Sequence, residues 1–176
     1  IETAFSLNIP VSMDFNHRKL LGTLQDLWNL TTPFASKLHI LIFSLDSLKG
    51  VNELEGFGVE TSNEETSECW THIMQKIAQK YGFRRLACCF KTRDSAGLQK
   101  RWSTLVDSNQ NVFTTNLHPT YHYPKDECGG GSAWAAGYID ACFENGEGVS
   151  PALSLRRADL LAALCQEVVG DHSDTK

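Results

Sequence analysis

Gly129-Gly130-Gly131-Ser132-Ala133-Trp134-Ala135-Ala136-Gly137 sets three consecutive glycines directly against small residues able to open a helix. Glycine lets the backbone approach a phosphate closely and turn its N–H groups inward, and the positive end of the following helix dipole falls at the same point. The stretch is read as an anion cradle, with Gly129, Gly130 and Gly131 against phosphate. A plain loop running into a helix is the alternative that the glycines alone leave standing. Both readings predict a helix from Ser132 to about Asn145.

Upstream, Val11 to Asn16 alternates strictly, with Val11, Met13 and Phe15 on one face and Ser12, Asp14 and Asn16 on the other, as a strand requires. Leu38 to Phe43 and Leu86 to Phe90 are nearly all apolar, which suits strands covered on both faces. Between them Ser62 and Glu65 form a capping box, Trp70, Ile73, Met74 and Ile77 an apolar stripe, and Gly82 a stop. Trp102 to Val106 and Val112 to Thr115 flank the turn-rich Asp107-Ser108-Asn109-Gln110, predicting an antiparallel hairpin. Downstream, Ser150 as N-cap and Pro151 at the first position open a last helix, with Leu153, Leu160, Leu161, Leu164 and Val168 as its apolar residues and Gly170 as its stop. The order of elements predicts one α/β layered domain with a largely parallel sheet carrying a hairpin.

Composition narrows the function. The 176 residues, 41% hydrophobic and 21% charged, are enough for a core, and a net charge of −5 argues against a nucleic-acid surface. Lys100-Arg101 and Arg156-Arg157 read as solvated faces. The six cysteines show no C-x-x-C spacing and mostly sit in apolar runs, which predicts reduced thiols and a cytoplasmic or organelle-matrix compartment. No apolar run approaches the ~20 residues of a membrane span, so no membrane partner is expected. The chain opens on Ile1, which leaves an upstream segment expected and targeting undecided.

In its context, Asp126-Glu127-Cys128-Gly129-Gly130-Gly131-Ser132-Ala133-Trp134-Ala135-Ala136-Gly137 resembles the Asp-x-x-Gly-Ala/Gly-Gly-Asp-Ser/Ala-Phe-x-x-Gly signature of the ribokinase/PfkB-type carbohydrate kinases. Met13-Asp14-Phe15-Asn16-His17-Arg18-Lys19-Leu20-Leu21 is similar to the Asp-x-Asn-Tyr/His-Arg-x-x-Leu segment of the 2-keto-3-deoxygluconate kinases within that family. Lys91-Thr92-Arg93-Asp94-Ser95 with Trp102-Ser103 resembles their nucleotide-side segment, and Val169-Gly170-Asp171-His172-Ser173 their late Gly-Asp loop. Together the matches run from about Ile9 to Ser173.

The resemblance implies a ribokinase-like three-layer α/β sandwich comprising the C-terminal part of that fold, without its N-terminal part and lid. It implies ATP and Mg²⁺ as cofactors and a sugar acid as acceptor. Asn16 and Arg18 would bind the sugar acid, Lys91, Arg93, Gly170 and Asp171 the nucleotide, and the glycines the phosphates. A guanidinium suits such an acceptor because it can hold a carboxylate by two parallel hydrogen bonds.

Two positions depart from the family. Ser132 stands where the family's catalytic Asp takes the proton from the sugar hydroxyl, and general-base help is worth roughly 10²- to 10⁴-fold. Asp140, about two helical turns on and roughly 12 Å away, is no obvious substitute. Ser47 replaces the Glu of the Asn-x-x-Glu motif that organises the Mg²⁺ shell, with Asp46 beside it as a partial compensation. Three readings follow: a catalytically impaired sugar-acid kinase, a pseudokinase kept as a structural or regulatory subunit, or an incomplete copy of an active enzyme. The absent lid leaves a sheet edge that a second copy, as a homodimer, or a larger assembly would cover.

The remaining candidates carry less. His118 and His122 have helical metal-pair spacing, but Pro119 and Pro124 make the segment extended. His17 is either a donor to a sugar hydroxyl or a loop histidine. Cys128 lies beside Asp126 and Glu127, which oppose a thiolate nucleophile, and Trp134 reads as core.

Overall fold

The computed structural model describes residues 1–57, 67–144 and 150–170. Short α1 (Glu2–Ser6) precedes β1 (Ser12–Asp14), α2 (Leu24–Thr31), a 3-10 turn (Thr32–Lys37), β2 (Ile40–Ser44), α3 (Leu45–Glu55) and α4 (Ser67–Tyr81). The strands β3 (Arg85–Arg93), β4 (Gln99–Asp107), β5 (Val112–Thr114) and β6 (Thr120–His122) follow, and α5 (Gly130–Glu144) and α6 (Pro151–Gln166) end the described chain. This is the expected α/β class. The strands lie in the order β1-β2-β3-β4-β5 with β6 on β4; β1 and β2 run parallel, Ser12 opposite Ile40, and β4 and β6 antiparallel, Gln99 opposite His122.

Two compact units divide the chain: Ile1–Cys88 with Leu105–Val112, and Cys89–Thr104 with the residues from Phe113 onward. In the first, the alternation of residues 11–16 appears as expected, with Phe15 buried and Asp14 and Asn16 exposed. Trp70, Ile73, Met74 and Ile77 are buried on α4, and Gly82, at φ +73°, closes it by donating to the Ala78 carbonyl. The capping pair Ser62 and Glu65 lies outside the described residues. Phe15, Trp28, Phe43 and Phe83 pack ring against ring, and beside them the Glu55 carboxylate accepts from Trp28 Nε1 at 2.6 Å, from Tyr81 Oη and from Lys80 Nζ. Burial pushes this carboxyl upward, but the three donors outweigh it and hold Glu55 below the ordinary carboxylate range.

The helix α3 escapes the sequence reading. Its start is marked by Ser44, whose Oγ accepts from Ser47 N, and its end by Gly56 in the left-handed region at φ +63°. Ser47 Oγ donates to the Phe15 carbonyl at 3.2 Å, so this hydroxyl ties α3 to the end of β1.

The tight turn between β4 and β5, in the first unit, forms where expected, with Asp107 Oδ1 accepting from the amides of Asn109 and Asn111. Three expectations are corrected. Arg101 is no solvated cation: it is 5% exposed, on the same strand face as Gln99 and Ser103. On α6, Leu153, Leu160 and Leu164 are exposed, as is Val168 beyond its end, and the buried face is Ser154, Leu155, Ala158, Asp159, Ala162, Ala163, Cys165 and Gln166. The reason is proximity: a Cβ on Gly137 of α5 would lie 3.0 Å from Ala158 Cα, an approach that favours small residues where the two helices touch. Finally, α6 opens at Pro151 after Ser150, whose hydroxyl makes no cap bond, and it ends at Gln166 rather than at Gly170.

Gly137→Val should therefore destabilise the protein by about 1–3 kcal/mol, since the α6 backbone facing it cannot yield as a flexible side chain would. Urea unfolding measures this; a midpoint equal to the native one would refute the close-approach argument.

Candidate functional site

The glycine stretch forms a turn into a helix. Gly129 takes φ +72°, which a side chain would strain, and the first helical bond of α5 runs from Ala133 N to Gly129 O at 2.8 Å. The N–H groups of Gly130, Gly131 and Ser132 thus stand outside the helical ladder, at the positive end of its dipole. The helix begins at Gly130, two residues before the expected Ser132. Gly131 and Ser132 are exposed, and no side chain approaches within 4 Å of a Cβ built on Gly131.

The loop leading into these glycines is pinned from several sides. Asp126 Oδ1 accepts from Cys128 N and Oδ2 from Gly170 N, each at 3.0 Å, and these amides hold its carboxyl below the usual range. Gly170, at φ +96°, is thereby drawn to the loop and not used to stop α6. Glu127 pairs with Lys91 Nζ at 2.9 Å and Arg93 Nη2 at 2.8 Å; the Lys91 bond and charge, then Arg93, overcome burial and depress its pKa. The structure therefore brings Lys91, Arg93, Gly129, Gly130, Gly131, Ser132 and Gly170 to one loop cluster, while Asp171 lies outside the described residues.

Beneath the loop lies a polar cluster that the sequence reading did not identify. Gln166 Oε1 accepts from Arg101 Nη2 at 2.8 Å and faces His122 Nε2 at 3.2 Å, while Gln166 Nε2 donates to the Glu127 carbonyl at 3.1 Å. That amide orientation requires the His122 proton on Nε2. Burial lowers the His122 pKa, with the Arg101 charge acting in the same direction and the Gln166 bond against it. Among the described residues, Arg101 Nε, His122 Nδ1 and Gln99 Oε1 find no hydrogen-bond partner. His122 is thus held by Gln166, in the extended segment expected for it.

A second buried node fixes α5. Asp159, 1% exposed, accepts from Ser103 Oγ, from Thr115 Oγ1 at 2.6 Å and from Trp134 Nε1 at 2.9 Å. Trp134 is core, as expected, with its indole N–H satisfied. The one signal that could have flagged Asp159 and Gln166 is their helical spacing with Leu155, Ala158, Ala162 and Ala163, a polar and small-residue stripe eclipsed in the sequence by the leucines.

In the first unit, Asn16 and Arg18 are exposed just beyond β1; partial desolvation by the atoms around the surface residue Asp14 raises its pKa, and the Arg18 charge partly restores it. His17 Nε2 bonds the Gly22 carbonyl at 3.0 Å, the geometry of a loop histidine. Asp46 is exposed on the first turn of α3. Among the described residues no three His, Cys, Asp or Glu side chains gather as a metal site, and no helix is long and apolar enough to cross a membrane. None of the six cysteines, all among the described residues, is in a disulfide. A pocket of about 230 Å³ lined by Thr114, Thr115, His118, Ala152, Leu153 and Arg156 lies at the start of α6, whereas the glycine loop meets its end.

No family model matches the chain, and no curated protein matches it. Solved structures do. The 2-dehydro-3-deoxygluconokinase of Thermotoga maritima aligns over 98% of this chain and 49% of its own at 20% identity, with a TM-score of 0.78. A PfkB family carbohydrate kinase from Listeria grayi aligns over 97% and 48% at 17% identity and 0.71. Adenosine kinase from Schistosoma mansoni aligns over 99% and 46% at 17% identity and 0.65. The chain has the ribokinase-like α/β fold of these sugar and nucleoside kinases, and it spans about half the length of the structures it matches.

Asp159 supplies a pH test of the buried node. Burial lifts its carboxyl above the ordinary value, with the hydroxyl and indole donors working against the rise. A carboxyl raised on folding costs stability at neutral pH, and the cost is relieved as pH falls through the raised value toward the unfolded one of about 3.9. Asp159→Asn has no proton to gain, so its urea midpoint should fall further behind the native one as pH drops from 7 toward about 4. A constant gap, or one that narrows, would contradict the raised pKa.

Proposed function

We propose that this chain is the phosphate- and sugar-acid-binding part of a carbohydrate kinase-like protein whose proton-abstracting step is disabled. The observation that carries the reading is the loop cluster: Gly129, Gly130 and Gly131 at the start of α5, with Lys91, Arg93 and Gly170 tied to the same loop through Glu127 and Asp126. Free N–H groups at a helix start favour a nucleotide's phosphates, and the two cations supply neutralising charge once released from Glu127. Gly170 and Asp171 would contact the nucleotide beyond the phosphates. Asn16 and Arg18 would orient the sugar acid, the guanidinium taking its carboxylate. Mg²⁺ would enter on the nucleotide, where it neutralises phosphate charge.

The reaction in question moves the γ-phosphoryl group of ATP to a sugar hydroxyl, which must surrender its proton. Ser132 occupies the base position, and the first turn of α5 contains no acidic residue. Asp140, the next carboxylate along the helix, pairs with Arg157 at 3.0 Å. Phosphoryl transfer depends chiefly on positioning and charge stabilisation, so slow turnover without the base is compatible with this site. The same features favour a second reading, a pseudokinase kept as a structural or regulatory subunit, which need not bind Mg-ATP.

ADP release from Mg-ATP with 2-keto-3-deoxygluconate, compared between the native chain and Ser132→Asp, tests this. The expected outcome is little or no native turnover and a gain of roughly 10²- to 10⁴-fold in the variant. Fast native turnover would overturn the disabled-base reading. Mg-ATP binding without turnover in both proteins would favour the pseudokinase, and absence of Mg-ATP binding in both would refute the phosphate cradle.

A further inference from the structure

Gln166 closes α6 and is 2% exposed, yet every polar atom of its amide is engaged. Its Oε1 serves two buried cations or cation precursors, Arg101 and His122, on neighbouring strands of the second unit. Its Nε2 holds the Glu127 carbonyl, and its own main-chain carbonyl accepts from Lys125 N at 2.7 Å and Asp126 N at 3.3 Å. This last bond satisfies a carbonyl that the end of a helix would otherwise leave without a partner. A Cβ on Gly130 would come within 2.6 Å of Gln166 Nε2 and 2.9 Å of its Cδ, so the amide lies directly under the glycine that opens α5.

We propose that Gln166 is a positioning residue that sets the conformation of the Lys125–Gly130 loop, and that position 130 is glycine in this chain because the Gln166 amide occupies the space of its side chain. The loop carries both carboxylates that gather the cluster: Asp126, which draws in Gly170, and Glu127, which draws in Lys91 and Arg93. Through one side chain, the sheet residues Arg101 and His122 fix where Glu127 and Gly130 stand. The link to nucleotide rests on the proposed function; the link to the loop stands on the hydrogen bonds alone.

Gln166→Glu separates positioning from simple burial. The variant keeps acceptors for Arg101 and His122 but has no donor for the Glu127 carbonyl, whereas Gln166→Met loses both. Amide exchange of Cys128, Ala133 and Gly170, each bonded to Asp126 or Gly129, reads the loop without any ligand. The urea midpoint reads global stability. In Gln166→Glu the midpoint should remain close to native while these three amides exchange about five- to tenfold faster, the loss expected for one hydrogen bond, and the Thr115 amide, bonded to Ser103 O, stays unchanged. Native exchange at all three would overturn the proposal.

Gly130→Ala provides an independent arm, made in the native and Gln166→Ala backgrounds. It should accelerate loop exchange in the first and have no further effect in the second; equal effects in both would show that Gln166 does not determine the glycine. Titration with Mg-ATP then reads the functional consequence, expected as a weakening by a similar factor in Gln166→Glu. A native chain that does not bind Mg-ATP would count against the proposed function and leave the loop result to be judged by exchange.

Discussion

The close approach of α5 to α6 at Gly137 and Ala158 is the constraint on which the second unit depends. Two helices that meet at backbone distance favour small residues where they touch, and Leu153, Leu160 and Leu164 are exposed on α6 while Leu155 is buried. The same proximity brings α6 side chains under α5. Asp159 reaches the Trp134 indole and Gln166 reaches the space below Gly130, so both ends of the contact carry a buried polar anchor. Each anchor is costly unless fully bonded, and that is why both fix a single arrangement of the helix.

A phosphate cradle works by being in place before its ligand arrives, since donors that must reorganise surrender much of what they gain. Here the glycines themselves contribute little stiffness. The stiffness of the loop comes from Asp126, which is held by two amides, and from Glu127, which is held by its carbonyl on Gln166 and by its carboxylate on Lys91 and Arg93. The Glu127 ion pairs are half exposed and individually weak, as would suit contacts that a phosphate, on the proposed function, would displace. The Gln166 bonds are buried, as suits contacts that should persist.

The departures from the kinase pattern occupy structurally different places. Ser132 is exposed on the first turn of α5, where an aspartate could be accommodated and would gain from the helix dipole. Ser47 is buried and its hydroxyl is committed to the Phe15 carbonyl, so it is part of the first unit's packing rather than an open position. Placing an acid at 132 is a surface change; placing one at 47 would require desolvating a carboxylate.

What the sequence determined by itself is whatever depends on near neighbours along the chain: the alternation about Phe15, the α4 stripe closed by Gly82, the Asp107 turn, the glycine turn into α5 and the α/β class that their order implies. Backbone sterics and side-chain periodicity act over a few residues, so these features are legible locally. The burial of Arg101, the inward turn of Asp159 and Gln166, the outward turn of Leu160 and Leu164, and the capture of Gly170 by Asp126 were decided only by tertiary structure. Each depends on how near a segment distant in sequence comes, and hydrophobicity, which ranks leucine above glutamine and aspartate, reverses its usual order where the gap is too narrow for leucine and lined with hydrogen-bond partners.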